Sequence, residues 1–317
     1  MGIKAYYGVK GGQYCRAVDD VALSLDKGTI LGLAGESGCG KSTLVNTLMM
    51  NMKPPLKLVG GTIIIDGKVV SDMHIKDLKK KVWGVLVSLV PQAALNALMP
   101  TMRVAGIVKD TMRQHTKMSS SQVLSMAKKR FQELNLAPES LNMYAHELSG
   151  GMRQRAVIAI SSLLNPKLLI VDEPTSALDV TTQKQVLRMI LDLKNSRIIE
   201  SVIFVSHDMA VLRQICDNIA IMYAGKIVEW GPTENLIERP RHQYTIGLMN
   251  AVMTPESRVR ERGLVSIPGS PPDLFNPPQG CRFYPRCSRR QDMCKSDEPP
   301  LIEIEGKHLV ACDQCLH

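Results

Sequence analysis

The stretch Gly35-Glu36-Ser37-Gly38-Cys39-Gly40-Lys41-Ser42 decides the fold of this chain. It follows the pattern G-x-x-x-x-G-K-[ST], which is typical of a phosphate-binding loop. The apolar run at 29–34 before it predicts a buried strand, and residues 43–50 after it predict a helix. The motif therefore stands between a strand and a helix N-terminus, where backbone N–H groups can cradle phosphate.

The residue types of this loop explain its chemistry. Glycines let backbone N–H groups turn toward an anion. Lys41 can place its charge on the outer phosphates, and the Ser42 hydroxyl can ligate Mg²⁺. A chance glycine-rich turn is the alternative, and the flanking strand and helix argue against it. The residues expected to bind nucleotide here are Gly35, Glu36, Ser37, Gly38, Cys39, Gly40, Lys41, Ser42 and Thr43.

Composition places the chain among ordinary globular proteins, with 44% apolar and 22% charged residues in a total of 317. No apolar run reaches the roughly 18 residues of a membrane span, and the N-terminus has no secretory signal. We therefore expect a cytosolic protein that can dock on a membrane protein. The net charge of +9 suits nucleotides, nucleic acid or an anionic membrane. Because the lysine clusters carry no interleaved aromatics, we expect no nucleic-acid partner.

The first third of the chain is predicted to be rich in strands. Strands are expected at 4–9 and 18–25 around a turn at Gly11-Gly12, then a hairpin through Asp66-Gly67. A short basic helical turn at 77–81 and a strand at 82–90 follow, ending at Pro91-Gln92. Tyr14 can stack on an adenine ring or be a half-buried strand tyrosine.

Residues 93–147 lose glycine and gain helix formers, which predicts a helical insert with helices at 103–116 and 121–134. A helix at 156–164 and an apolar strand at 167–172 come next, and the strand delivers Asp172 and Glu173 to its C-terminal end. We then expect helices at 180–194 and 209–216, a strand at 201–206 before His207, and a hairpin over 219–229. This alternation predicts a parallel sheet wrapped by helices, with ligands at the strand C-termini.

The chain past residue 239 is predicted to lack long elements, because prolines recur through it. We expect it to hold too few core residues to fold without a staple, and five of the eight cysteines lie within residues 281–317. In a reducing compartment such a cluster indicates a metal before disulfides. The thiols can hold zinc or an iron–sulfur cluster, and only Cys312 and Cys315 have a zinc-like spacing.

Three motifs in order carry a resemblance to a known family: the phosphate loop, the run Leu148-Ser149-Gly150-Gly151-Met152, and the run from Leu168 to Asp179. Together they resemble the nucleotide-binding subunit of ABC transporters. The runs at 223–229, 240–245 and 267–274, with the cysteine spacing, resemble the dipeptide/oligopeptide importer ATPases over essentially the whole chain.

The resemblance implies an α/β P-loop NTPase with a parallel core sheet, an antiparallel β subdomain and a helical signature subdomain at about 93–155. It divides the chain into a nucleotide-binding domain at 1–238 and a Pro/Cys-rich extension at 239–317. ATP and Mg²⁺ are the implied cofactors. A [4Fe–4S] cluster is implied on Cys281, Cys287, Cys294 and Cys312, with Cys315 spare and Zn²⁺ as the alternative.

The resemblance also implies roles for single residues. Gln92 matches the glutamine that senses Mg²⁺ and water, Asp172 the aspartate acting on Mg²⁺, and Glu173 the carboxylate that polarises the attacking water. His207 matches the switch histidine near the γ-phosphate, and Asp179 a residue at the dimer seam. The residues that would contact ATP held by the opposite subunit are Ser149, Gly150 and Gly151. Two departures are Met152 in place of glutamine, and Tyr14, which is separated from Ala17 by two residues.

The implied function is an ATP-hydrolysing subunit of a di- or oligopeptide importer at the cytoplasmic face of the membrane. Its implied partners are a second ATPase subunit (a related chain or another copy), two membrane permeases and, indirectly, a solute-binding protein. Nickel or oligosaccharide import are alternatives within this class. A soluble ABC ATPase acting on nucleic acid or ribosomes is a second hypothesis, which the single nucleotide module and the lack of sustained heptads oppose. A non-catalytic module gated by nucleotide is a third, opposed by Lys41, Asp172, Glu173 and His207.

Overall fold

The structure is a computed structural model that describes residues 2–9, 11–92, 97–176, 178–251 and 267–312. Several expectations concern residues outside these ranges: Cys315 as the spare cysteine, the start of the helical insert at 93–96, and the stretches 252–266 and 313–317 of the extension. The chain separates into two compact units. We name Met1–Leu25, Thr29–Thr62 and Phe204–His317 the phosphate-loop unit, and Asp26–Gly28 and Ile63–Ile203 the helical unit.

In the phosphate-loop unit, three strands form an antiparallel sheet in the order β2-β1-β4. They are β1 (Ile3–Gly8), β2 (Tyr14–Val21) and β4 (Leu56–Gly60). This confirms the predicted antiparallel β subdomain. It also confirms the turn at Gly11-Gly12, where both glycines have positive φ. The strand predicted at 18–25 lies earlier, because its pairing partner β1 begins at Ile3, opposite Val21.

A second sheet in this unit has the order β12-β13-β11-β10-β3. The fully buried β3 (Ile30–Ala34) pairs in parallel with β10 (Asn218–Tyr223), which turns into antiparallel β11 (Lys226–Pro232) and confirms the predicted hairpin. The strands β13 (His308–Val310) and β12 (Ile302–Glu305) then extend the sheet. The sheet is therefore mixed, with antiparallel strands added beside the predicted parallel pair.

The described residues past residue 239 do contribute side chains to the core, and the predicted need for a staple stays a prediction. Tyr244 and Val310 are fully buried, and Phe283 is 3% exposed. Among the described residues 267–312, each regular element has at most four residues, as the prolines predicted. Core side chains and two short strands therefore hold this region in place.

In the helical unit, β5 (Ile64–Ile65) and β6 (Lys68–Val69) form the hairpin predicted at Asp66-Gly67. The strand β7 (Val87–Val90) pairs in parallel with β8 (Leu168–Asp172). The strand predicted from residue 82 begins five residues later, because residues 78–82 form a π-helical turn and Gly84 adopts a φ of 76°. The chain leaves this unit through β9 (Ser201–Val205).

The helices follow the predicted order, and Ser119 opens one of them with a capping box. The helix predicted from residue 156 begins six residues earlier, because Ser149 caps it. No helix in the described ranges has both the length and the apolar character needed to cross a bilayer. The helices are α1 (Lys41–Leu48), α2 (Ile75–Asp77), α3 (Val104–Arg113), α4 (Ser120–Glu133), α5 (Gly150–Ser161), α6 (Val180–Asn195), α7 (Met209–Ile215), α8 (Thr233–Glu238), α9 (Gln243–Ala251) and α10 (Met293–Ser296).

Candidate active site

The phosphate loop connects β3 to α1 and depends on two glycines. Gly35 has a φ of 150°, and a Cβ built there would lie 2.1 Å from the carbonyl oxygen of Met222. Gly40 has a φ of 111°, and a Cβ there would lie 2.1 Å from the carbonyl oxygen of Ala17. Since real Cβ contacts are never that short, only glycine fits both positions.

Lys41 is 7% exposed and folds back over its own loop. Its Nζ donates to the carbonyl oxygens of Gly35 at 2.6 Å and Glu36 at 2.9 Å. Cys39 lies 3.7 Å from the same ammonium, and burial raises the pKa of its thiol although Lys41 opposes the shift. The structure thus brings a positive charge, the loop backbone and the start of α1 together, which is the arrangement that binds phosphate groups.

Residues far along the chain support the outer side of the loop. The Glu36 N–H donates to the Tyr244 hydroxyl at 2.8 Å, and the Gly225 N–H donates to the Cys39 carbonyl at 2.8 Å. Arg286 pairs with the Glu36 carboxylate. Sequence reasoning missed Tyr244 and Arg286, because neither belongs to a local pattern that points to the loop.

Three tyrosines, Tyr6, Tyr7 and Tyr14, lie in the antiparallel sheet of the same unit. Tyr14, the predicted adenine-stacking residue, is 51% exposed and lines a cavity of about 720 Å³ with Tyr6 and Phe275. Tyr7, which the sequence did not single out, has its hydroxyl 3.2 Å from the Thr43 Oγ1 at the start of α1. The role of Tyr14 stays a prediction, and Tyr7 is a second aromatic candidate beside the loop.

His207 follows β9 by two residues and is exposed. The preceding Ser206 is anchored, since its N–H donates to the Leu33 carbonyl at 3.2 Å and its Oγ accepts from the Asp208 N–H at 3.0 Å. The position of His207 in the phosphate-loop unit is therefore set by the strand end, as the sequence predicted.

In the helical unit, Asp172 is the last residue of β8 and is 6% exposed. Glu173 follows with a φ of 46°, an uncommon conformation for a residue with a side chain. Its Oε2 accepts from the Gln92 Nε2 at 3.2 Å. Because β7 and β8 are parallel neighbours, their C-terminal ends bring these residues to one edge. The expected carboxylates and the glutamine are together.

The signature run opens α5. The Ser149 Oγ accepts from the Met152 N–H at 3.3 Å, so Gly150 and Gly151 form the first turn at the positive end of the helix. Asp179 caps α6 in the same way, accepting from the Thr182 N–H at 2.9 Å and from its hydroxyl at 2.6 Å. These bonds lower the pKa of Asp179. Their roles at a dimer seam stay predictions.

Four C-terminal cysteines lie in the described ranges and are of intermediate exposure: Cys281, Cys287, Cys294 and Cys312. Burial first, and then the neighbouring Cys312, Cys287 and Cys294, raise the pKa of Cys281 to about 11. The four thiols therefore lie within electrostatic range of one another. Over the described ranges, however, no three or more His, Cys, Asp or Glu side chains are arranged to hold a metal ion. The residue set fits a metal by chemistry but is not a preformed site.

Comparison with known proteins agrees with this geometry. The sequence profile of a family described as "ABC transporter" matches residues 18–176, and that of "Oligopeptide/dipeptide transporter, C-terminal region" matches residues 228–294. The ATP-binding cassette MJ0796, solved as a dimer in a post-hydrolysis state bound to ADP and Pi, superposes with a TM-score of 0.63. That match has 25% identity and covers 73% of this chain and 96% of the other.

Similar proteins of known function indicate which class of ABC transporter ATPase the chain resembles. The dipeptide transport ATP-binding protein DppD of Caldanaerobacter subterraneus subsp. tengcongensis is 38% identical over 98% of this chain and 94% of its own. The oligopeptide transport ATP-binding protein OppD of Bacillus subtilis is 40% identical over 93% of this chain and 82% of its own. The chain belongs to the ABC transporter ATPases of the dipeptide/oligopeptide importer type.

Proposed function

We propose that this chain binds Mg²⁺–ATP through its phosphate loop and hydrolyses it to drive uptake of dipeptides or oligopeptides through partner permeases. The observation that carries the proposal is the loop itself. Lys41 is folded over the backbone of Gly35 and Glu36, and the glycine geometry tolerates no side chain at two positions. Membership of the importer ATPases supplies the reaction and the class of transported solute.

The proposed roles follow from the chemistry that phosphoryl transfer to water requires. The loop from Gly35 to Thr43 binds the phosphates, with Lys41 neutralising charge on the outer ones. Ser42, Gln92 and Asp172 hold Mg²⁺, which would neutralise developing charge when bound. Glu173 orients the attacking water, and its bond from Gln92 supports a shared task. His207 lies beside the γ-phosphate in this proposal. The residues that contact the ATP held by the opposite subunit are Ser149, Gly150 and Gly151.

The proposed assembly is a pair of ATPase subunits beneath two permeases, fed by a solute-binding protein, at the cytoplasmic face of the membrane. The second ATPase is a related chain or another copy of this one. The names of the relatives, which are transport ATP-binding proteins, support a place in a transporter. We also propose the division of the chain into a nucleotide-binding domain at 1–238 and an extension at 239–317. In the structure, the described residues of the extension belong to the same compact unit as the phosphate loop.

For the cysteines, we propose that Cys281, Cys287, Cys294 and Cys312 hold a [4Fe–4S] cluster, with zinc as the alternative. Support comes from the Cys281 N–H, which donates to the Cys294 carbonyl at 2.9 Å and so brings two of the four cysteines side by side, and from the soft character of four thiolate ligands. Metal and acid-labile sulfide analysis of anaerobically purified protein tests this. Iron with equal sulfide, lost in Cys281→Ser but kept in the control Cys216→Ser, is expected. Zinc without sulfide would select the zinc alternative. Protein that contains neither iron nor zinc would refute both the cluster and the zinc proposals.

The test of the catalytic proposal is Glu173→Gln. Removing the carboxylate should leave the Kd for ATP nearly unchanged, lower hydrolysis by about 100-fold or more and trap a nucleotide-bound dimer. Glu238→Gln is the control, because Glu238 is 62% exposed. Unchanged hydrolysis in Glu173→Gln would remove Glu173 from its role.

Affinity purification from solubilised membranes tests the partners. Permease subunits are expected, and recovery of rRNA or DNA instead would favour the nucleic-acid hypothesis.

A further inference from the structure

Arg286 reaches the phosphate loop from the C-terminal region, which we define as residues 267–312. Its Nη1 donates to the Glu36 Oε2 at 2.8 Å, and its Nη2 to the Oε1 at 3.1 Å. The side chain of Arg286 is 5% exposed and that of Glu36 is 25% exposed. Two parallel charge-assisted bonds fix both position and orientation of the carboxylate.

The guanidinium of Arg286 is itself held from behind. Its Nε donates to the Pro268 carbonyl at 2.8 Å, and its Nη1 lies 3.3 Å from the Tyr223 hydroxyl. Its Cζ is also 5.9 Å from the centre of the Phe283 ring. Burial lowers the pKa of Arg286, but Glu36 and Tyr223 outweigh that effect and raise it above its ordinary value. The side chain is therefore a fixed positive charge that holds Glu36.

Holding Glu36 also fixes the groups that position Lys41. The Glu36 carbonyl accepts from the Lys41 Nζ at 2.9 Å, and the neighbouring Gly35 carbonyl accepts at 2.6 Å. The Glu36 N–H is tied to Tyr244. A shift of the Glu36 side chain would move this peptide segment, and the ammonium would lose its arranged acceptors.

We propose that Arg286 is a positioning residue for nucleotide binding. By gripping Glu36, it keeps the loop backbone and the Lys41 ammonium in the arrangement that receives phosphate, so that ATP does not have to order them. This inference rests on the proposed function of the loop. Because Arg286 directly precedes Cys287, it also ties the segment that carries the cysteines to the nucleotide site.

The chain offers a matched control in Arg282. This arginine comes from the same segment and is equally buried, with a side chain that is 5% exposed against 10% for its partner Asp19. It donates to the Asp19 carboxylate and to the Ala224 carbonyl, neither of which belongs to the phosphate loop. Both pairs attach the C-terminal region to the rest of the unit, but only the Arg286 pair includes a loop residue.

The experiment measures the Kd for ATP, KM, kcat and Tm of Arg286→Gln, Glu36→Gln, the double variant and Arg282→Gln in the full chain. We expect Arg286→Gln and Glu36→Gln each to raise Kd and KM about ten-fold, with kcat changed less than about three-fold. The double variant should be no worse than either single one, because both remove one interaction. Arg286→Lys should recover part of the affinity, since it keeps the charge but not the fork.

Arg282→Gln should lower Tm to a similar degree while leaving the Kd for ATP within about two-fold of the wild type. If Arg286→Gln lowers Tm but leaves Kd unchanged, Arg286 only anchors the C-terminal region and the proposal is wrong. If Arg286→Gln does not fold, Glu36→Gln decides, and an unchanged Kd there overturns the proposal. A wild-type chain that binds no ATP would instead refute the proposed function, and this inference with it.

Discussion

The phosphate loop and the C-terminal region are built in opposite ways. The loop is shaped by neighbours in sequence: its lysine bonds to carbonyls five and six residues back, and its glycines adopt φ values that other residues avoid. The C-terminal region is held by side chains that pair over great separations, 250 residues for Arg286 with Glu36 and 263 for Arg282 with Asp19. A local motif forms the site, and distant residues keep its shape.

Buried charge has a different use in each region. In the loop, the Lys41 ammonium faces the carbonyl oxygens of the backbone it is expected to share with phosphate. In the hairpin that carries the C-terminal strands, Glu229 is fully buried and accepts from the N–H groups of Arg241 and His242 and from His308. The Lys41 ammonium can therefore bind a ligand, whereas the Glu229 carboxyl group makes its hydrogen bonds within the fold. Removing one of these donors would leave a buried oxygen of Glu229 without one of its hydrogen bonds, which is costly.

The largest effect is expected for a substitution that distorts the backbone of the phosphate loop. In Gly40→Ala the new Cβ would lie 2.1 Å from the Ala17 carbonyl oxygen, so the backbone must move. We expect affinity for ATP to fall by about 100-fold or more, measured by calorimetry. Gly38→Ala is the matched control, because its φ is 78° but nothing lies within 4 Å of a Cβ there. It carries only the left-handed penalty and should lose about ten-fold. Equal losses would show that crowding at Gly40 is unimportant.

An effect of intermediate size is expected where the antiparallel sheet contacts the start of α1, and it tests which tyrosine of that sheet contributes to ATP binding. Because the Tyr7 hydroxyl lies 3.2 Å from the Thr43 Oγ1 at the start of α1, we expect Tyr7→Ala to weaken ATP binding by about ten-fold, the upper end for one lost hydrogen bond that positions the loop. Tyr14→Ala, at a side chain that is 51% exposed, should change it less than about two-fold. Fluorescence titration with a labelled nucleotide compares them. The reverse order would support the predicted role of Tyr14 in stacking on adenine.

The smallest effect at neutral pH concerns the fold around α9. Burial lowers the pKa of His242 to about 4, although Glu229 acts in the other direction. The unfolded chain binds a proton at this residue below about pH 6.5, whereas the folded chain binds it only near pH 4. Stability is therefore lost as pH falls through this window. Between pH 7 and pH 5, urea unfolding should show wild type losing about 2 kcal/mol more than His242→Gln. Parallel curves for the two proteins would show that His242 titrates normally.

Sequence reasoning succeeded where the determining contacts are local. Asp66-Gly67 supplies the positive φ values of a tight hairpin, Ser119 caps a helix, and an apolar strand carries Asp172 to its end. It failed where a partner far along the chain decides. The packing of Tyr244 and Arg286 depends on Glu36, which lies 208 and 250 residues away from them in the chain. A proline-rich stretch gives no local sign of such partners.

The most direct test of the account is whether purified protein retains Mg²⁺–ATP and releases phosphate, alone and with its permease partners. We predict stoichiometric retention and turnover in the wild type, and loss of both in Lys41→Ala, because the buried ammonium beside Gly35 and Glu36 is removed. Wild-type protein that neither retains nor cleaves ATP under these conditions would contradict the account.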